Sequence, residues 1–130
     1  MKHTIKYPII ILAALFSVNI AFAETTASTD NPEQAIKYLL DFIANSDCTF
    51  IRNGKSYAPK EALEHIKAKY EYFKTEIKTP EDFIRFAATK SELSGKPYLV
   101  KFKDGKEMEC AEWLSKALDD YRKSQKKEKG

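Results

Sequence analysis

The chain has 130 residues, of which 43% are hydrophobic and 32% are charged, and its formal net charge is +3. This length is typical of one domain. A charge so close to neutral argues against a nucleic-acid-binding protein, since such proteins usually carry a strongly basic face.

Residues 1–23 have the layout of a secretory signal peptide. Lys2 and Lys6 precede an apolar run over Ile9–Phe16, and Ala21–Ala23 forms a cleavage site of the small-x-small type. The alternative is a retained membrane anchor, but this run is shorter than the roughly 20 residues that a spanning helix needs. We therefore predict a periplasmic protein with no membrane span after cleavage, whose net charge falls to +1 because two lysines are removed.

The remaining chain is predicted to form one domain over residues 32–122. A small, polar leader over residues 24–31 is expected to be disordered, and residues 123–130 are predicted to form a solvated basic tail. Asn31 followed by Pro32 is a typical helix start, and apolar residues at helical spacing carry this first helix to about Asn45.

A β-hairpin follows over Cys48–Tyr57. Its turn is Asn53-Gly54, a pair that tolerates the positive φ angles of a tight hairpin turn. A second helix starts at Pro59, and the sequence Thr79-Pro-Glu-Asp82 predicts the capped start of a short third helix.

A second hairpin and a final helix complete the chain. Residues 89–97 are loop-like, Tyr98–Lys103 alternates as a strand does, and Asp104-Gly105 predicts a turn into a short return strand. Apolar residues from Trp113 to Tyr121 recur at helical spacing. The predicted fold is α+β, with a small antiparallel sheet of two hairpins packed against about four helices.

Cys48 and Cys110 are predicted to form one disulfide, because export places an even number of cysteines in an oxidising compartment. Such a bridge would bring the two hairpins into one sheet. The alternatives are two buried free thiols or a redox pair, although the chain lacks the C-x-x-C motif of thioredoxin-like proteins.

No motif identifies a reaction. His65 is the single histidine beyond the signal peptide, so the sequence predicts neither a metal site nor a cofactor. A small hydrolase that pairs His65 with Ser91 or Ser94 is possible in space, although no local signature supports it. Tyr70, Tyr72 and Phe73 either form a stacking surface for a sugar or peptide or extend the core stripe of their helix.

Several blocks of the chain resemble the YfeK-like family of small bacterial periplasmic proteins, from about Cys48 to Tyr121. The blocks are Phe50–Gly54, Glu61-Ala62, His65-Ile66 with Lys69, Glu81–Ile84, Ser94–Tyr98 and Glu112–Leu114. The resemblance implies export and a shared fold, and it implies no activity.

The same blocks indicate where a ligand would bind. The candidate residues are polar and are too numerous to belong to the core: Arg52, Asn53, His65, Lys69, Lys90, Ser91, Ser94 and Tyr98. If the first hairpin, the second helix and the loop converge, these residues form a cationic pocket for a carboxylate or phosphate. The alternative is that these residues only stabilise turns and form hydrogen bonds with backbone groups.

The sequence leaves three hypotheses for the function. The leading hypothesis is a monomeric binding module for an anionic envelope ligand or a protein partner. The second is the hydrolase, and the third is a structural or stress-related envelope protein.

Overall fold

A computed structural model describes residues 30–130, in which helices and strands follow the predicted order. The elements are α1 (Pro32–Ala44), β1 (Thr49–Arg52), β2 (Lys55–Tyr57), α2 (Pro59–Tyr72), α3 (Pro80–Ala87), β3 (Leu99–Lys101), β4 (Glu107–Glu109) and α4 (Cys110–Glu128). The predicted signal peptide and most of the predicted leader, up to residue 29, lie outside the described residues.

The helix starts are the ones that the capping residues predict. The side chain of Asn31 accepts hydrogen bonds from the backbone N–H groups of Glu33 and Gln34 at the start of α1. Thr79 and Asp82 form a reciprocal capping box at the start of α3. These bonds satisfy backbone donors that have no partner inside a helix, which is why both helices begin where they do.

The four strands form one antiparallel sheet in the order β2-β1-β3-β4. Phe50 of β1 lies opposite Val100 of β3, and Tyr57 and Met108 extend this row into the outer strands. The row faces the helices, and Val100 is fully buried. The α+β fold predicted from the sequence is therefore confirmed.

The helices close the core over that face of the sheet. Leu39 of α1, Phe83 of α3 and Leu114 of α4 are completely buried, and Trp113 packs against Phe42 and Phe50 with ring centroids 4.7 and 5.7 Å apart. Apolar burial of this kind supplies most of the free energy that holds small domains together.

Arg122 links α4 to the starts of α1 and α3. Its Nε lies 2.5 Å from a carboxylate oxygen of Asp30, just before α1, and its Nη1 lies 2.5 Å from Glu81 in α3. The hydrogen bond from Arg122 lowers the pKa of the Glu81 carboxyl below its ordinary value. Because the same bond raises the pKa of Arg122, both groups stay charged across the neutral range.

The predicted disulfide is wrong, because Cys48 and Cys110 are free, buried thiols. The reason is the relative direction of the two hairpins. β3 runs antiparallel to β1, so the beginning of the first hairpin and the end of the second lie at opposite ends of the sheet.

The strand register shows how far apart the two ends are. Thr49, next to the first cysteine, lies opposite Lys101, whereas Glu109, next to the second, lies opposite Leu99. Two residues along a strand span about 7 Å and two strand spacings span about 10 Å, so the Cα atoms of Thr49 and Glu109 are about 12 Å apart. A disulfide needs Cα atoms within about 7 Å, which is well below the separation of these two strand ends.

Burial also makes the thiols unreactive. It raises the pKa of Cys110 to about 12, and it raises the pKa of Cys48, with the neighbouring Asp47 acting in the same direction. Since the thiolate is the nucleophile, neither cysteine is suited to covalent chemistry near neutral pH.

The last helix is longer than its apolar stripe. α4 continues to Glu128, through most of the segment that composition marks as a basic tail, and its side chains there are largely exposed. Across residues 30–130, no helix combines the length and the apolar character that crossing a bilayer requires.

Candidate functional site

The first hairpin ends in a tight turn that aims Asn53 at a distant loop. Asn53 and Gly54 have φ angles of 53° and 76°, which is the left-handed conformation that such a two-residue turn needs. Asparagine tolerates this conformation better than other residues with a side chain. The turn therefore places a polar side chain, rather than a bare glycine, at the tip of the sheet.

The loop between α3 and β3 is folded on itself. Its ends are joined by the Lys90–Pro97 bridge, by a bond from the Ser91 N–H to the Lys96 carbonyl (3.0 Å) and by one from the Gly95 N–H to the Ser91 carbonyl (2.8 Å). We call residues 89–97 the serine loop. Its internal bonds hold Ser91 completely buried and leave the tip exposed.

Asn53 fastens the hairpin to the serine loop. Its side-chain amide donates to the Ser91 hydroxyl at 3.2 Å, and its amide oxygen accepts a short hydrogen bond from the Ser94 hydroxyl. Three of the predicted site residues thus lie together, but they mainly satisfy one another.

Lys69 fastens the same loop to α2. Its ammonium donates to the Lys90 carbonyl at 2.7 Å, lies 3.4 Å from both Glu92 and the Tyr98 hydroxyl, and sits 5.1 Å from the centre of the Tyr98 ring. Only 16% of the Lys69 side chain is exposed. Lys90, by contrast, contributes a backbone carbonyl to this arrangement.

Arg52 lies in the same region and has no carboxylate partner among the described residues. Within residues 30–130 it forms no ion pair, and its Nε is buried without a hydrogen-bond partner. A buried guanidinium N–H without a partner is costly, so this residue is the one that a bound anion would stabilise most.

Arg52 and Lys69 line one surface groove of about 490 Å³. The other lining residues are Tyr72, Phe73, Glu92, Leu93 and Tyr98. We call this the Arg52–Lys69 groove. Its volume lies in the range of small-molecule sites, and its mixture of apolar walls with a few polar groups is typical of them.

His65 lies apart from the groove. It is exposed on α2, meets the edge of the Tyr57 ring at 5.4 Å, and borders a separate cavity of about 20 Å³ that Arg52 also lines. The hydroxyls of Ser91 and Ser94 both pair with Asn53. The hydrolase hypothesis therefore gains no contact between a nucleophile and a base.

The aromatic residues of α2 divide between the two interpretations that the sequence left open. Tyr70 is half-buried edge-on against Phe83, and Phe73 stacks on Phe86, so both extend the core. Tyr72 instead is 81% exposed and lines the groove. Among the described residues, no three histidine, cysteine or acidic side chains are grouped closely enough to bind a metal ion.

Glu92 and Leu93 are groove residues that the sequence did not nominate. The sequence could have identified Leu93 as a candidate, because it is a single large apolar residue inside a polar loop. Glu92 could be recognised only once the loop was seen to fold back over Lys69.

In sequence, the chain is similar to proteins of unknown function. The model of a family of unknown function, DUF5329, matches residues 30–122. The uncharacterised protein YfeK of Salmonella typhimurium is 37% identical over 67 residues, which make up 51% of this chain and 56% of YfeK. The alignment thus spans little more than half of that relative. No solved structure matches.

Proposed function

The chain belongs to DUF5329, a family of unknown function, and we propose that it is a binding protein whose Arg52–Lys69 groove takes an anionic ligand. The observation that carries the proposal is the state of Arg52, a cation that lines the groove without a carboxylate partner among the described residues. A planar guanidinium is well suited to bind a carboxylate or phosphate through paired hydrogen bonds.

The charges of the groove support an anion over a cation. Arg52 and Lys69 face a single acid, Glu92, whose nearest oxygen is 3.4 Å from the Lys69 ammonium. The Glu92 side chain is 57% exposed, and exposed ion pairs contribute little free energy. An incoming anion can therefore compete for Lys69 while it pairs with Arg52.

We also propose that the protein acts in the periplasm. The support is the basic start, apolar run and small-x-small site of residues 1–23. In that compartment the anionic group could belong to a small envelope ligand or to an acidic side chain of a protein partner. Mass measurement of the protein recovered from the periplasm should show a chain that begins at Glu24, and recovery of the full-length chain in the membrane would contradict export.

The binding proposal is tested by titrating the ¹⁵N-labelled mature protein with sodium acetate and with sodium phosphate at constant ionic strength. Amide shifts should concentrate at the hairpin tip, the end of α2 and the serine loop. Arg52→Gln should abolish them, whereas the matched control Lys60→Gln, an exposed cation outside the groove lining, should leave them unchanged.

The opposite results are equally clear. Shifts that spread evenly over the surface, or that persist in Arg52→Gln, would show that the groove does not select anions.

A further inference from the structure

Within residues 30–130, two large hydrophobic residues stand out as exposed, and both border the Arg52–Lys69 groove. Tyr72, the last residue of α2, is 81% exposed, and Leu93, at the tip of the serine loop, is 89% exposed. A single exposed apolar residue is ordinary on protein surfaces. Here two come from separate elements and meet at one groove, with the ring of Phe73 4.8 Å from that of Tyr72.

The polar and the apolar side chains of the groove differ in how deeply they are buried. The Lys69 side chain is 16% exposed and Tyr98 is 7% exposed, so the polar hydrogen-bonding groups lie at the floor. Tyr72 and Leu93 lie at the rim. A ligand that enters with its charged end first would pair with the floor and leave an attached apolar group against the rim.

We propose that the ligand is an acid with an apolar chain, in which a carboxylate contacts Arg52 and Lys69 and the chain lies against Tyr72, Phe73 and Leu93. This inference rests on the proposed anion-binding function and adds the chemical class of the ligand. Charge complementarity selects the acid, and the apolar rim selects the chain.

A single ligand molecule fits these features better than an anionic membrane surface does. Proteins that dock on bilayers present their cations on the outside, where lipid headgroups can reach them. In this groove the Lys69 ammonium is recessed below the rim and already holds the Lys90 carbonyl, so a flat surface would meet Tyr72 and Leu93 before reaching it.

The test is a series of straight-chain carboxylates from acetate to octanoate, with octanol and octylamine as uncharged and cationic controls. Affinity should rise by about two- to fourfold for each added methylene, since full burial of one methylene corresponds to about fourfold. Octanol and octylamine should bind far more weakly than octanoate.

Three variants assign the effect to its residues. Leu93→Ser and Tyr72→Ser should flatten the dependence on chain length, with a larger loss of affinity for octanoate than for acetate, because both side chains are exposed at the rim where the chain would lie. Glu92→Gln should tighten binding of every carboxylate by a similar factor, because it removes the acid that competes for Lys69. Glu71→Gln, an exposed glutamate outside the groove lining, is its matched control.

The outcomes separate this inference from the function on which it rests. If acetate and octanoate bind with equal affinity and both depend on Arg52, the proposal that the ligand carries an apolar chain is refuted, and the proposal of anion binding stands. Binding of octanol as tight as that of octanoate, with no effect of Arg52→Gln, would overturn anion binding itself. Binding to vesicles of anionic phospholipid without binding to octanoate would replace the ligand with a membrane surface.

Discussion

Substitution of Asn53 separates two physical roles that one residue combines. Its backbone adopts a positive φ angle, and its side chain bonds to Ser91 and Ser94. Asn53→Gly keeps the turn conformation, because glycine adopts positive φ without strain, but it removes both side-chain bonds. Asn53→Ala removes the bonds and also places a methyl group in the left-handed region.

The expected magnitudes differ for a structural reason. Ser94 is exposed, so water replaces its bond, whereas Ser91 is completely buried and its hydroxyl loses its partner. A buried polar group left without a partner costs about 1–3 kcal/mol, and we expect Asn53→Gly to lower the free energy of unfolding by this amount. Asn53→Ala should cost about 1 kcal/mol more, from backbone strain.

Urea denaturation of the mature protein measures these differences, and a double-mutant cycle with Ser91→Ala isolates the bond. The cycle should give a coupling of about 1 kcal/mol. Hydrogen exchange should quicken in the serine loop and remain slow in the helical core. Equal stabilities of the glycine variant and wild type, with no coupling to Ser91, would refute the idea that this bond fastens the loop.

Three further predictions concern the charges, thiols and core of the domain. The unfolding free energy of wild type should exceed that of Glu81→Gln above about pH 4.3, and urea curves measured at lower pH should converge, because a lowered pKa gives stability that is lost as the carboxylate is protonated. Iodoacetamide should alkylate Cys48 and Cys110 only after unfolding, as read by mass spectrometry, and a mass deficit of two hydrogens that a reductant reverses would contradict free thiols. Leu114→Ala should cost about 2–5 kcal/mol in urea denaturation, whereas Leu93→Ala should change stability by less than about 0.5 kcal/mol.

Local chemistry explains why the elements were predictable. Asn31 and Thr79 begin their helices through bonds to backbone groups within three residues, and Asn53-Gly54 turns the hairpin through its own φ angles. Such interactions depend on neighbours in the sequence, so they can be read before any tertiary contact is known.

The convergence of the candidate site could be predicted only in part. The sequence nominated Arg52, Lys69 and Tyr98, and the structure brings them to one groove. It also nominated His65, whose position one turn before Lys69 on α2 leaves it outside the groove lining. Which turn of α2 meets the serine loop, whose Lys90 lies 21 residues beyond Lys69, depends on how the loop folds, and the loop is closed by contacts that composition does not reveal.

By itself the sequence determined the four helices, the two hairpins and the absence of a recognisable catalytic motif, because each follows from short-range spacing and capping. The tertiary structure alone decided the direction in which the second hairpin pairs with the first. That direction separates Cys48 from Cys110 at opposite ends of the sheet, and the packing of the serine loop against α2 sets Lys69 beside Arg52. Both outcomes arise from contacts between residues far apart in the chain, where burial of the whole core, rather than local preference, selects the arrangement.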